Sequence, residues 1–246
     1  MSEEKVIQHA GNAVRVLRDK EKGWVGKLKE FFFEMLIIFF AVTITLLFHN
    51  WNDSLREHLQ EREFLTGIKS DLDSGVVAID RQINSFQPTL NYFINVRQQF
   101  ATHQFNTAYL DTNSWALTNT NYLNFDMGRF DGFQSSGYLR LIENQTLLKH
   151  LMSLYTISIP FQINADRMVF DSRRQYFEEH IGAKGTFDLD YPGYGRLVAS
   201  KLTGDPEFRY FVIYYAAYLD ERKGHKQDLI RQMKKLSAEI GDELNK

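Results

Sequence analysis

Residues 31–48 read FFFEMLIIFFAVTITLLF, an 18-residue apolar run with one ionisable side chain, Glu34. As a helix rising 1.5 Å per residue, it covers roughly 27 Å, close to the hydrocarbon thickness of a bilayer. Past Glu34 it is apolar on every side, whereas a core helix of a soluble protein usually keeps a polar stripe. A cleaved signal peptide is the other reading of such a run, but His49-Asn50-Trp51-Asn52 follow it in place of a small-residue cleavage pattern. The run is therefore read as an uncleaved signal anchor. Lys27 and Lys29 can snorkel at one end, and Trp51 suits the opposite interface.

The flanks predict the orientation. Arg15, Arg18, Lys20, Lys22, Lys27 and Lys29 precede the run, and only Arg56 and Arg62 follow it closely. The positive-inside rule puts residues 1–30 in the cytoplasm, 31–48 across the membrane and 49–246 outside. The best rival span, residues 208–219, holds about 12 residues, contains Arg209 and is expected to be a core helix. Glu34 has two open readings. It is a shallow, solvated carboxylate near the headgroups, or it touches a partner membrane helix or acts as a protonatable switch.

Composition narrows the rest. Charged residues make up 24% and the formal net charge is −2, values that do not suggest disorder and that disfavour a nucleic-acid partner. With no cysteine, the chain has no thiol nucleophile, thiolate zinc site or disulfide. No HExxH, GxSxG, Walker or GxGxxG pattern occurs, so neither an enzyme nor a cofactor is expected. Asp188-x-Asp190 on an extended segment would put two carboxylates on one face, a weak hint of a metal against an ordinary surface role.

Periodicity predicts a mainly α chain. Val6, Ile7, Ala10, Val14 and Leu17 fit an amphipathic helix over 3–22, read either as an interfacial helix or as a weakly folded tail. Leu65, Ile68, Leu72, Val76, Ile79, Ile83 and Phe86 form a stripe, with Leu55 and Leu59 nearly in line. The span is thus expected to continue into a long helix that packs in a helical bundle of the outer domain. Gln87-Pro88 is read as a break before a second, antiparallel helix over 89–105, and 106–124 as a long loop with a short element. Another helix covers 145–159, with Pro160 as a kink or separator. The next, 163–181, carries Asp166, Arg167, Asp171, Arg173, Arg174, Glu178 and Glu179, read as a solvated face of mixed sign. Asp205 should cap a last helix from Pro206 to about Leu236, interrupted near Gly224.

Two stretches carry a family resemblance: FEMLIIFFAVTITLLFHNWNDSLREHLQEREFLTGIKSDL at 33–72 and FQSSGYLRLIENQTLLKHLMSLY at 133–155. They resemble a family of uncharacterised small single-pass inner-membrane proteins of Bacteroidota. Its marks are an Asn-Trp-Asn motif after the transmembrane helix, here Asn50-Trp51-Asn52, and a Ser-Ser-Gly-x-Leu-x-x-Ile-x-Asn stretch, here Ser135 to Asn144. The resemblance implies an anchor in a bacterial inner membrane and a mainly helical periplasmic bundle over 49–246, and it implies no activity. Glu34 and the Phe-rich first turn depart from the family pattern. Ser135, Ser136, Gly137 and Asn144 are read as a turn and helix cap or, alternatively, as a ligand or partner surface.

The expected function is that of a membrane-anchored scaffold or accessory subunit. Besides the lipid bilayer, its partners would be other proteins of a membrane complex or sister copies in a homo-oligomer. The alternative is a periplasmic sensory or small-molecule-binding module that signals through a separate cytoplasmic partner.

Overall fold

The computed structural model describes residues 24–119, 122–181, 187–188 and 196–246. The proposed amphipathic helix over 3–22 and Asp190 of the Asp188-x-Asp190 pair lie outside them. The chain divides into two compact units, Met1–Glu61 and Arg62–Lys246. The fold is mainly α. Helix α1 (Trp24–Thr102) supplies the described part of the first unit and opens the second.

In the first unit α1 holds the one helical segment, among the described residues, long and apolar enough to cross a membrane. Only 6% of that window is buried, which separates it from the core helix of a soluble protein. Phe32, Phe33, Phe39, Phe40 and Phe48 are exposed. Thr45 donates its hydroxyl to the carbonyl of Ala41, one turn back on the same helix, at 2.8 Å.

The second unit is a helical bundle. After α1 come α2 (Thr107–Thr112), a 3₁₀ turn (Ser114–Leu117), α3 (Gly128–Ser135) and a 3₁₀ turn (Tyr138–Leu141). Then follow α4 (Gln145–Ser153), α5 (Ile159–Tyr176) and α6 (Pro206–Leu244). Between α5 and α6 a minimal antiparallel pair forms from β1 (Phe187–Asp188) and β2 (Arg196–Leu197), with Phe187 opposite Leu197.

Helix α1 runs through Pro88, contrary to the expected break. An interior proline removes one backbone hydrogen bond and costs about 3 kcal/mol in isolation. Packing on both sides outweighs that cost. Ile79 and Ile83 are buried before the proline, and Leu90, Tyr92, Phe93 and Val96 after it. Buried Thr89 accepts a hydrogen bond from Asn119 Nδ2 at 2.8 Å, and Gln87 accepts one from Lys223 Nζ at 2.8 Å. Residues 89–102 are therefore a continuation of α1 and not an antiparallel partner. The true end is at His103, in the left-handed region with φ 55°, where Gln104 N–H closes back on the Gln99 carbonyl.

Pro160 has a different solution. A π-helical turn, Leu154–Ser158, joins α4 to α5, and Pro160 stands in the first turn of α5. The wider turn accommodates the missing donor, so one face stays continuous and buries Leu147, Leu151, Leu154, Tyr155 and Ile159.

The antiparallel partner of α1 is α6, uninterrupted at Gly224. Lys223 meets Gln87, Lys226 meets Gln82 at 3.0 Å, Ser237 meets Asp73 at 2.6 Å and Arg62 meets the Leu244 carbonyl at 2.8 Å. Gly75 lets α1 approach closely, since a Cβ there would overlap the Phe125 ring and the Met233 methyl.

Two apolar clusters form the core. One joins Phe64 to Ile83 of α1, Leu147 to Ile159, and Leu229 to Ile240 of α6. The other joins Leu90 to Phe100, Leu110, Leu117 and Phe208 to Leu219. Leu55 and Leu59 are exposed, so the buried stripe of α1 starts at Phe64.

Candidate functional site

Along α1, α5 and α6 a polar layer falls between the two apolar clusters. Its centre is Asp166 on α5, nearly inaccessible. Asp166 Oδ1 accepts from Arg222 Nη2 at 2.6 Å and Nε at 3.2 Å. Its Oδ2 accepts from Lys226 Nζ at 2.5 Å and from the backbone N–H of Leu123 at 2.8 Å. Arg222 also donates to Gln162, at 2.7 Å to the side chain and 3.1 Å to the carbonyl. Burial pulls the Lys226 ammonium below its ordinary pKa, and Asp166 opposes that shift.

Two turns along α5, Arg173 is 3% exposed. Its guanidinium donates to the carbonyls of Asn119, Ala116 and Leu117 at 2.7–2.8 Å, closing the C-terminal end of a 3₁₀ turn. It also lies 5.5 Å from the Phe93 ring centre and 5.7 Å from that of Tyr215. Burial lowers its pKa to about 10. Among the described residues its Nε has no partner.

Asp166, Arg173, Arg222 and Lys226 line a cavity of about 30 Å³ together with Gln82, Phe86, Val169, Phe170 and Leu219. Asp166 and Arg173 are thus internal, not part of a solvated face. The i,i+4 surface pairing holds further along, where Arg174 meets Glu178 at 2.8 Å. A helix with acids and bases at close spacing has the same sequence pattern whether the charges face water or one another.

The residues singled out in the sequence lie elsewhere. Glu34 and Trp51 are on the first-unit part of α1, and Trp51 is exposed with its ring 6.3 Å from Phe48. Ser135, Ser136 and Gly137 end α3. Ser136 Oγ donates to the Phe133 carbonyl at 2.9 Å, and Gly137 has φ 75°. Asn144 caps α4, its Oδ1 accepting from Leu147 N–H at 3.1 Å, while its Nδ2 donates to Glu243 at 2.6 Å. That bond holds the Glu243 carboxyl below its ordinary pKa. Asn144→Ala should destabilise the second unit by about 1–2 kcal/mol, the usual effect of losing a cap. Asn144→Asp, which keeps the acceptor but sets a carboxylate beside Glu243, should recover only part of that loss in urea unfolding.

A second feature lies on the outer face of α6. Tyr210, Tyr214 and Tyr218 stack in steps of 6.0 Å, one helical turn apart. Tyr210 is 69% exposed and Tyr214 50%, with Ile213 exposed beside them. Phe100, Phe105, Pro206, Tyr210 and Ile213, together with polar residues that include His103, Asp205 and Arg209, line an adjoining open groove of about 430 Å³. Buried Phe208, Phe211, Tyr215 and Leu219 hold the opposite face of the helix in the core. Among the described residues no cluster of His, Asp and Glu has the form of a metal site. Comparison with protein-family models, curated proteins and solved structures gives no match.

Proposed function

We propose that this chain is a single-pass membrane-anchored scaffold or accessory subunit whose second unit, outside the cytoplasm, binds a protein partner. The basic residues before the span support the orientation, and the resemblance to the Bacteroidota membrane family agrees with it. The tyrosine ladder on α6 carries the binding reading. Tyrosine offers a large, stiff contact area with a polar tip, and exposed tyrosines beside a groove that mixes aromatic, aliphatic and a few polar residues match the composition of interfaces. A solvated helix face has no need of three stacked rings.

Purification of the full chain in mild detergent, with identification of what accompanies it, tests this reading. A stoichiometric partner or a sister copy should come along. Tyr210→Ser with Tyr214→Ser should release it and leave the unfolding midpoint almost unchanged, because both side chains are exposed. A monomer that carries nothing, or a double variant that keeps its partner, would sink the proposal. The buried charged cavity favours a second reading, a small-molecule sensor that works through a separate cytoplasmic subunit.

A further inference from the structure

We infer that the cavity between α1, α5 and α6 binds a small monovalent anion of chloride size, held by Lys226, Arg222 and Arg173. Three cationic side chains face this space and only one carboxylate, Asp166, faces it with them. The carboxylate is already fully engaged, accepting from Arg222, Lys226 and the Leu123 N–H. Donors remain. The Lys226 ammonium has three N–H groups and meets two acceptors among the described residues, Asp166 and Gln82. Arg173 Nε has none among them.

The walls sharpen the selection. Phe86, Val169, Phe170 and Leu219 provide no acceptor side chain. In such surroundings an uncompensated positive charge is costly, and an anion relieves it. The size sets the class. About 30 Å³ admits a guest of one or two water volumes, which suits a halide better than sulfate, phosphate or a sugar acid. Burial lowers the pKa of both Arg173 and Lys226, as expected for cations without enough counter-charge. The anion site is independent of the tyrosine face, so the partner-binding reading can fail without touching it.

The test is thermal unfolding of the full chain in detergent at constant ionic strength, with sodium gluconate replaced stepwise by sodium chloride, bromide or sulfate. Chloride and bromide should raise Tm by a few degrees along a saturating curve, and sulfate should not. Lys226→Gln, which keeps a donor toward Asp166, should lose most of the chloride effect. A second readout is ³⁵Cl NMR line broadening on the wild-type protein, reversed by bromide competition. Equal Tm in chloride and gluconate, an equal rise in sulfate, an undiminished chloride effect in Lys226→Gln, or no line broadening would each overturn the assignment.

Discussion

Asp166→Ala is expected to lower the unfolding free energy of the second unit by about 3–5 kcal/mol, the usual result of removing one partner from a buried ion pair. The loss comes from what stays behind. Arg222 and Lys226 remain buried, their shared carboxylate gone, and the Leu123 N–H loses its acceptor. Urea unfolding of the full chain, followed by circular dichroism, measures it. Replacing the whole set, with Asp166→Leu, Arg222→Met and Lys226→Met, should recover most of the stability, because neither cation that Asp166 pairs with is then left behind. If Asp166→Ala costs less than about 1 kcal/mol, the layer is wetter than its burial implies.

The same variant should respond to pH in a definite direction. Without Asp166, the Lys226 pKa falls further below its unfolded value, since burial lowers it and the carboxylate was the opposing influence. Between the folded and unfolded pKa values the unfolded chain binds more protons, so stability rises with pH. Part of the deficit in Asp166→Ala should therefore disappear as pH rises from about 7 toward 10. A deficit that stays flat or grows over this range would mean that Lys226 reaches water once Asp166 is gone.

The second large effect concerns the apolar segment. Phe39→Arg with Val42→Arg places two guanidinium groups near its centre, each costing about 2.5–3.5 kcal/mol of insertion free energy. The double variant should leave the carbonate-resistant membrane pellet, in which the wild type and a Phe39→Leu, Val42→Ile control remain. Both positions are exposed on the helix, so little internal packing is lost. A double-arginine protein that stays in the pellet would rule out residues 31–48 as the membrane attachment.

Legibility in the sequence followed how local each signal is. The apolar run needs only length and composition, and the stripe from Leu65 to Ile83 needs only a period. The caps at Asn144 and Asp205 depend on neighbouring residues and form as read, Asp205 accepting from Glu207 N–H at 3.0 Å. Pro88 misled because its local penalty is outweighed by contacts with Asn119 and Lys223, distant in the chain. The charged layer was hidden for the same reason, though a trace of it exists. Tyr215, Leu219, Arg222, Lys226, Leu229 and Met233 share one buried face of α6, so two cations stand where the apolar stripe should continue. Gln162, Asp166 and Arg173 extend the apolar face of α4 in the same way. A charge on the apolar stripe, rather than beside it, is the sign that could have located the layer.

The layer also acts as an alignment key. Two long antiparallel helices joined only by leucine, isoleucine and phenylalanine can slide by one turn, about 5.4 Å, and still cover most of their apolar surface. Sliding α6 along α1 would carry Lys226 away from Gln82 and Asp166 and bring it beside Ile79 or Phe86. The buried members of those clusters carry no charge, and their only polar tips are the hydroxyls of Tyr92, Tyr155 and Tyr215, so no carboxylate could receive its ammonium there and a misplaced turn is penalised more than lost apolar contact alone would require. The charged residues thus index α6 against α1, a task for which their cost in desolvation is less important than their intolerance of any other position.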